Sequence, residues 1–358
     1  MKNKGRAFDR IPIVDVSGLF GDDTAAKAAV AREMADAASN VGFLYVTGHG
    51  VPEGMIDKLL AAASAFFALP VETKLKYYIG NSRAHRGYVP VGEENFYDTG
   101  DVPSVDKKEA FDLSVELPES DPDHVKGYRL LGPNQWPGEV PEFRDDIYGY
   151  YEAAMSLGRT LFRGFALALD LPETYFDAYL TKPPSQLRLV HYPEGPNRFE
   201  APAGVAKKSD WGISAHTDYE CFTILHATLP GLEVLNADGK WIDAPPVPGA
   251  FVINIGDMLE VLTNGRFIAT PHRVRNVAEE RYSFPLFCAV DFDTVIEPLP
   301  VFAGEGDNIY PTYVAGNHLL AQTMKTFAYL RRLEKAGVVS LPDTGMSNEV
   351  SFGRQESE

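Results

Sequence analysis

Of the eight histidines, at positions 49, 85, 124, 191, 216, 226, 272 and 318, one opens a His-x-Asp, His216-Thr217-Asp218. On a strand, residues i and i+2 share a face, so this spacing aims an imidazole and a carboxylate at one point. Alone the pair is weak, because two polar residues on a water-facing strand would look the same. A second histidine raises the signal. His272 lies in Ala269-Thr270-Pro271-His272-Arg273-Val274, just past Asn264-Gly265, a dipeptide that favours a hairpin turn. Two histidines and one carboxylate make a facial triad. That donor set suits non-haem Fe(II) and leaves positions open for O2 and a chelating substrate. Nine residues after His272, Arg281-Tyr282-Ser283 repeats the i, i+2 logic. A guanidinium and a hydroxyl on one face can hold a single carboxylate, the guanidinium in bidentate fashion.

These side chains need strands to aim them, and from about residue 185 the pattern is one of strands. Leu187 to Tyr192 alternates at period two, as do segments around Phe222, residues 232–235, 250–255 and 281–290. Pro230-Gly231, Asp238-Gly239, Pro248-Gly249 and Asn264-Gly265 punctuate them. Short strands separated by such turns predict a sandwich or barrel. Upstream, residues 11–16 read as an opening strand, with Pro12 at an edge or a strand start. Residues 25–39 read as a helix begun by Asp22-Asp23-Thr24, residues 42–46 as a strand, and 53–69 as a helix stopped by Pro70. Residues 80–130 carry little periodicity and read as a long irregular region. A helical period returns over 141–169, and a single last helix is expected over 316–336 before a polar tail.

Composition excludes other chemistries. The 358 residues carry 33 basic and 50 acidic side chains, a net charge of −17. That balance disfavours nucleic acid and anionic membrane surfaces as partners. No apolar run approaches the roughly 18 residues of a membrane span, and the first residues lack the apolar segment of a secretory signal. Two cysteines, Cys221 and Cys288, cannot build a disulfide framework, so a cytoplasmic location is expected. Gly-x-x-x-x-Gly-Lys, Gly-x-Gly-x-x-Gly and His-Glu-x-x-His are all absent, which argues against nucleotide-dependent chemistry and a zinc hydrolase.

An ordered set of segments resembles the isopenicillin N synthase-like branch of the Fe(II)/2-oxoglutarate-dependent oxygenases. The set comprises Ile11-Pro12-Ile13-Val14-Asp15, Gly42 to Gly50, Phe66-Phe67-Ala68-Leu69-Pro70 with Lys74, Arg86-Gly87-Tyr88, Leu187 to Pro193, His216-Thr217-Asp218, Asn254-Ile255-Gly256-Asp257, Thr263-Asn264-Gly265, His272-Arg273-Val274 and Arg281-Tyr282-Ser283. The resemblance implies a mainly β fold with flanking helices, built on a double-stranded β-helix (a jelly-roll, cupin-like core). It divides the chain into an N-terminal helix and strand region over 8–130, a helical linker over 131–184, the catalytic core over 185–300, a C-terminal helix over 301–340 and a tail over 341–358.

By the same resemblance His216, Asp218 and His272 ligate Fe(II), while Arg281 and Ser283, helped by Tyr192, bind the distal carboxylate of 2-oxoglutarate. Asn254, Gly256 and Asp257 would be structural, and His49, His191 and His226 packing residues. Substrate contacts come from about residue 83 to 111, with Arg83, Arg86 and Tyr88 as candidates. The cations Lys107 and Lys108, like Arg83 and Arg86, are expected as solvated surface charge or as partners of a substrate carboxylate, and the aromatic stretch from Phe96 to Phe111 as ordinary packing or the lining of the substrate mouth. The implied reaction consumes O2 and 2-oxoglutarate, releases succinate and CO2, and hydroxylates or desaturates a small molecule. The expected assembly is a monomer or weak homo-oligomer. Two alternatives stay open at this point. One is a cosubstrate-free, synthase-like cyclase acting on a peptide, since that enzyme keeps an Arg-x-Ser for its substrate. The other is a non-catalytic jelly-roll sensor of a metal or organic acid.

Overall fold

The computed structural model describes residues 5–94, 108–194, 211–276, 278–302 and 310–344. The chain runs β1 (Ile13–Asp15), α1 (Thr24–Asn40), β2 (Phe43–Thr47), α2 (Glu53–Phe67), α3 (Val71–Lys74), β3 (Gly87–Val89), β4 (Glu109–Leu113), α4 (Pro122–Lys126), α5 (Phe143–Ala168) and β5 (Gln186–Tyr192). It continues through β6 (Trp211–His216), β7 (Phe222–Ala227), β8 (Leu232–Leu235), β9 (Trp241–Asp243), β10 (Phe251–Ile255), α6 (Asp257–Leu262), β11 (His272–Arg275) and β12 (Arg281–Cys288). The short strands β13 (Val295–Ile296) and β14 (Tyr313–Val314) precede α7 (Ala315–Thr326) and α8 (Ala328–Lys335).

Two sheets form the core, an eight-stranded one in the order β1-β2-β10-β7-β12-β5-β4-β3 and a four-stranded one in the order β6-β11-β8-β9. Apart from the parallel pair β1–β2, these strands pair antiparallel. The sheets pack face to face through Phe43, Tyr45, Val190 and Val252 of the large sheet and Leu232, Val234 and Val274 of the small one. This is the double-stranded β-helix of the sequence reading.

The outer face of the large sheet is covered by α1, α2 and α5. Asp23 caps α1 by accepting from the backbone N–H groups of Ala25 and Ala26 at 2.8 and 3.1 Å. Helix α5 buries Ile147, Tyr150, Ala154, Leu157, Leu161 and Phe165, spaced three and four apart on one stripe. Period two then sorts the strand residues. On β12, Phe284, Leu286 and Cys288 enter the helix-covered core, while Arg281, Ser283, Pro285 and Phe287 face the interior between the sheets.

Three expectations are corrected. Residues 80–130 hold β3 and β4, which extend the large sheet beside β5, so the N-terminal span supplies four strands to the sheet of the core span. Asn264-Gly265 does not join two strands. Both residues have positive φ, 51° and 77°, but they terminate α6, where Gly265 N–H reaches the Glu260 carbonyl at 2.8 Å. The left-handed pair that suits a hairpin also suits a helix C-terminus. The last helix is broken at Phe327, whose extended backbone separates α7 from α8 and makes a bridge to Glu94. Residues 95–107, with Phe96 and Lys107, lie outside the described residues, as does the tail from 345.

Candidate active site

His216 ends β6 and His272 begins β11, and the two are directly paired across the small sheet. Asp218 follows two residues after His216, in the turn leading to β7. Asp218 Oδ1 stands 3.6 Å from His216 Nε2 and 3.7 Å from His272 Nε2, and the three potential donor atoms lie within 4.8 Å of one another. Backbone carbonyls select the tautomers. His216 Nδ1–H donates to Ser214 O at 2.8 Å, and His272 Nδ1–H faces Thr270 O at 3.3 Å. Both Nε2 lone pairs are thereby turned to the common point.

The carboxylate is oriented as firmly. Asp218 Oδ2 accepts from the Thr223 hydroxyl and from Asn254 Nδ2, the latter at 2.7 Å, which leaves Oδ1 for the common point. Burial alone would raise the Asp218 pKa, but the two histidines and these hydrogen bonds outweigh it and hold the carboxyl below its ordinary range. Burial and the neighbouring His272 keep the His216 imidazole below its ordinary range. The sequence reading took Asn254 as structural; its amide instead touches the carboxylate. Gly256 has no room for a Cβ against the Glu220 carbonyl, and Asp257 N–H bonds Asp218 O at 2.8 Å, so this segment clamps the ligand-bearing turn.

The triad opens into a cavity of about 1010 Å³, mouth included, which Tyr192, Arg281 and Ser283 also line. Arg281 is directly opposite Tyr192 in the β5–β12 pair, with its guanidinium carbon 4.8 Å from the ring centroid. Arg281 Nε donates to Leu229 O at 3.0 Å, while one terminal nitrogen is buried with no partner among the described residues. The Tyr192 hydroxyl is likewise buried and unpartnered. Two orphaned polar groups side by side are costly unless something polar lies between them. Together with a His, Asp and His donor set, they fit Fe(II) and a dicarboxylate keto acid.

Arg83, Arg86 and Tyr88 do not line this cavity, which corrects their expected role in substrate binding. Arg86 is buried, and its two terminal nitrogens are held by the carbonyls of Ala84, His85 and Leu130 at 2.7, 3.0 and 2.6 Å. Tyr88 donates to Glu109, which also holds Lys74 at 2.7 Å and His191 at 2.8 Å on the helix-covered side of the sheet. Arg83 is exposed. The charged wall of the cavity is made by other residues. Arg188 binds Asp112 with two parallel bonds of 2.8 Å and Glu94 at 2.8 and 2.9 Å, and Glu94 takes Lys108 at 2.8 Å. Lys108 is therefore a buried ion-pair partner, not a surface charge. Phe327 lies 5.6 Å from the Arg188 guanidinium and lines the same wall. Glu220 lines the cavity as well, and burial together with Asp218 pushes its pKa up to about 8.

Period two placed Arg188 on the face of Tyr192, so that residue was within reach of the sequence. Glu94 and Phe327 carry no local signal, because they arrive from a loop and a helix break distant in the chain.

Comparison with known proteins agrees with this geometry. Residues 11–139 match the model of the non-haem dioxygenase N-terminal region in morphine synthesis, and residues 183–290 match that of the 2OG-Fe(II) oxygenase superfamily. The chain is 35% identical over 295 residues to the 2-oxoglutarate-Fe(II) type oxidoreductase hxnY of Emericella nidulans, covering 81% of this chain and 82% of the relative. It is 33% identical over 336 residues to the homoarginine-6-hydroxylase 2-ODD-C23.2 of Arabidopsis thaliana, covering 89% and 90%. The crystal structure of a full-length Neurospora crassa protein in complex with alpha-KG superposes with a TM-score of 0.72 at 27% identity, covering 87% of this chain and 95% of that one. The chain belongs to the 2OG-Fe(II) oxygenase superfamily, in its isopenicillin N synthase-like branch. It is an Fe(II)- and 2-oxoglutarate-dependent dioxygenase acting on a small molecule. The cosubstrate-free cyclase and the non-catalytic sensor are thereby set aside.

Proposed function

We propose that His216, Asp218 and His272 hold the Fe(II), and that Arg281 and Ser283, with Tyr192, hold the distal carboxylate of 2-oxoglutarate. The observation that carries this reading is the orphaned Arg281 nitrogen beside the orphaned Tyr192 hydroxyl, in the same cavity wall as the triad. When bound, iron and cosubstrate supply the oxidising chemistry that couples loss of CO2, with formation of succinate, to oxidation of a substrate C–H. The protein's share is positioning. Thr223 and Asn254 keep one carboxylate oxygen of Asp218 occupied. Ser214 and Thr270 carbonyls fix the imidazoles. Arg281 neutralises a carboxylate in a pocket where water cannot. Phe327, Arg188, Glu94 and Lys108 also line this cavity.

The net charge of −17 supports a protein that avoids nucleic acid and anionic membranes, and no single helix among the described residues is long and apolar enough to cross a bilayer. The buried free thiols Cys221 and Cys288 support a cytoplasmic enzyme. We further propose that it works as a monomer or weak homo-oligomer. The test is anaerobic. Fe(II) followed by 2-oxoglutarate should produce the weak visible charge-transfer band in the wild type, and His216→Ala should lose it. Iron binding without a band would remove the proposed cosubstrate site.

A further inference from the structure

Arg281 opens β12 at a place where the sheet holds it from one side. It pairs with Tyr192 of β5, whereas pairing with β7 begins only at Ser283. Its guanidinium makes one hydrogen bond among the described residues, from Nε to Leu229 O at 3.0 Å. The end of a strand is where a ladder frays, so the reach of Arg281 into the cavity depends on what fixes the chain just before it.

That chain is fixed from behind. Arg281 and Tyr192 face the cavity, and their neighbours Glu280 and His191 meet on the opposite side of the sheet, against Tyr282 and Phe67 of α2. His191 Nε2 stands 2.9 Å from Glu280 Oε1, and the same oxygen accepts from the Tyr282 hydroxyl at 3.1 Å. The other ring nitrogen, Nδ1, stands 2.8 Å from Glu109 Oε1 on β4. Glu109 is anchored in turn by Lys74 at 2.7 Å and by the Tyr88 hydroxyl. The His191 ring stacks on Tyr282 at 4.8 Å and packs against Phe67 at 5.1 Å. Held at both nitrogens and by two aromatic neighbours, it links α3 and β4 to the residue that precedes Arg281.

Resting on the reading of Arg281 as the partner of the cosubstrate carboxylate, we propose that His191 is a positioning residue for 2-oxoglutarate. Through Glu280 it pins the start of β12 and holds Arg281 where the distal carboxylate needs it. His191 does not line the cavity, so its effect on the cosubstrate passes through Arg281.

The experiment titrates 2-oxoglutarate into anaerobic protein saturated with Fe(II) and takes the apparent Kd from the visible band. His191→Phe keeps a ring and removes both contacts, while Glu280→Ala removes only the last link, at a half-exposed side chain. Each should weaken 2-oxoglutarate binding about three- to tenfold, with Fe(II) affinity, read by chelator competition, at the wild-type value. In an Arg281→Ala background the same substitutions should change the Kd by less than about twofold, because the residue they act through is gone. An unchanged Kd in Glu280→Ala, a matching loss of Fe(II) affinity, or the full loss persisting in the Arg281→Ala background overturns the proposal. Glu280→Ala decides the matter if His191→Phe does not fold. Wild-type affinity in Arg281→Ala alone is a different failure, that of the carboxylate reading on which the proposal rests.

Discussion

Arg281 and Tyr192 sit opposite one another across the β5–β12 pair, 4.8 Å from guanidinium carbon to ring centroid, and each keeps a buried polar atom with no partner among the described residues. A wall with two such unpaired groups is prepared for a carboxylate. Arg281→Ala should raise the KM for 2-oxoglutarate about tenfold to a hundredfold, the loss of one charge-assisted interaction of about 1.5–3 kcal/mol. Tyr192→Phe should raise it less. Initial-rate succinate assays check both, and an unchanged KM in Arg281→Ala would place the cosubstrate carboxylate elsewhere.

The Asp218 carboxylate is held by Thr223 and Asn254. Replacing either donor with an isosteric apolar residue, Thr223→Val or Asn254→Leu, leaves Oδ2 with one donor instead of two and loosens the hold on the carboxylate. Iron affinity should fall about 10- to 100-fold, as is usual when the partners of a metal ligand are lost. Competition with a chelator measures this without any turnover.

Arg188 is the hub of the buried cluster with Asp112 and Glu94. Arg188→Met strands Asp112, leaves Glu94 with Lys108 alone, and should destabilise the fold by about 3–5 kcal/mol, visible as a lower urea midpoint. Adding Asp112→Asn to that variant should recover much of the loss, because what hurts is an uncompensated buried charge, while Glu94 stays paired with Lys108. If Arg188→Met alone unfolds at the wild-type midpoint, the cluster is not a stabilising unit.

The cluster also sets a pH dependence. Burial would raise the Glu94 pKa, but Arg188 and Lys108 outweigh it and bring it from 4.5 to about 2. A carboxyl depressed in the folded state stabilises above its unfolded value, and that contribution disappears as the pH falls through the folded value. Glu94 should therefore contribute fully above about pH 4.5 and lose its contribution between there and about pH 2. Complete burial, with Glu94 nearby, outweighs Arg188 and Arg86 at Asp112, so its pKa is raised and it works in the opposite direction. Glu94→Gln should flatten the acid limb of the stability curve; an acid limb as steep as in the wild type would assign it to other carboxylates.

What the sequence determined by itself is the class of chemistry and the strands that carry it. His216-x-Asp218 and Arg281-x-Ser283 are legible because a strand repeats every two residues, so neighbours in sequence share a face whatever the rest of the chain does. His272 needed one further assumption, that β11 lies beside β6, which the family pattern supplied. The tertiary structure decided the remainder. Arg86 and Tyr88 look available on paper, yet the long loop folds them onto backbone carbonyls and Glu109. Thr223 and Asn254 meet Asp218 only because β7 and β10 are adjacent in the large sheet. Glu94, Lys108, Arg188 and Phe327 converge on the cavity from a loop, the residue before β4, the strand β5 and a helix break. Periodicity encodes which way a side chain points, but the meeting of side chains far apart in sequence is set by sheet order and by the packing of the whole core, and no local pattern records that.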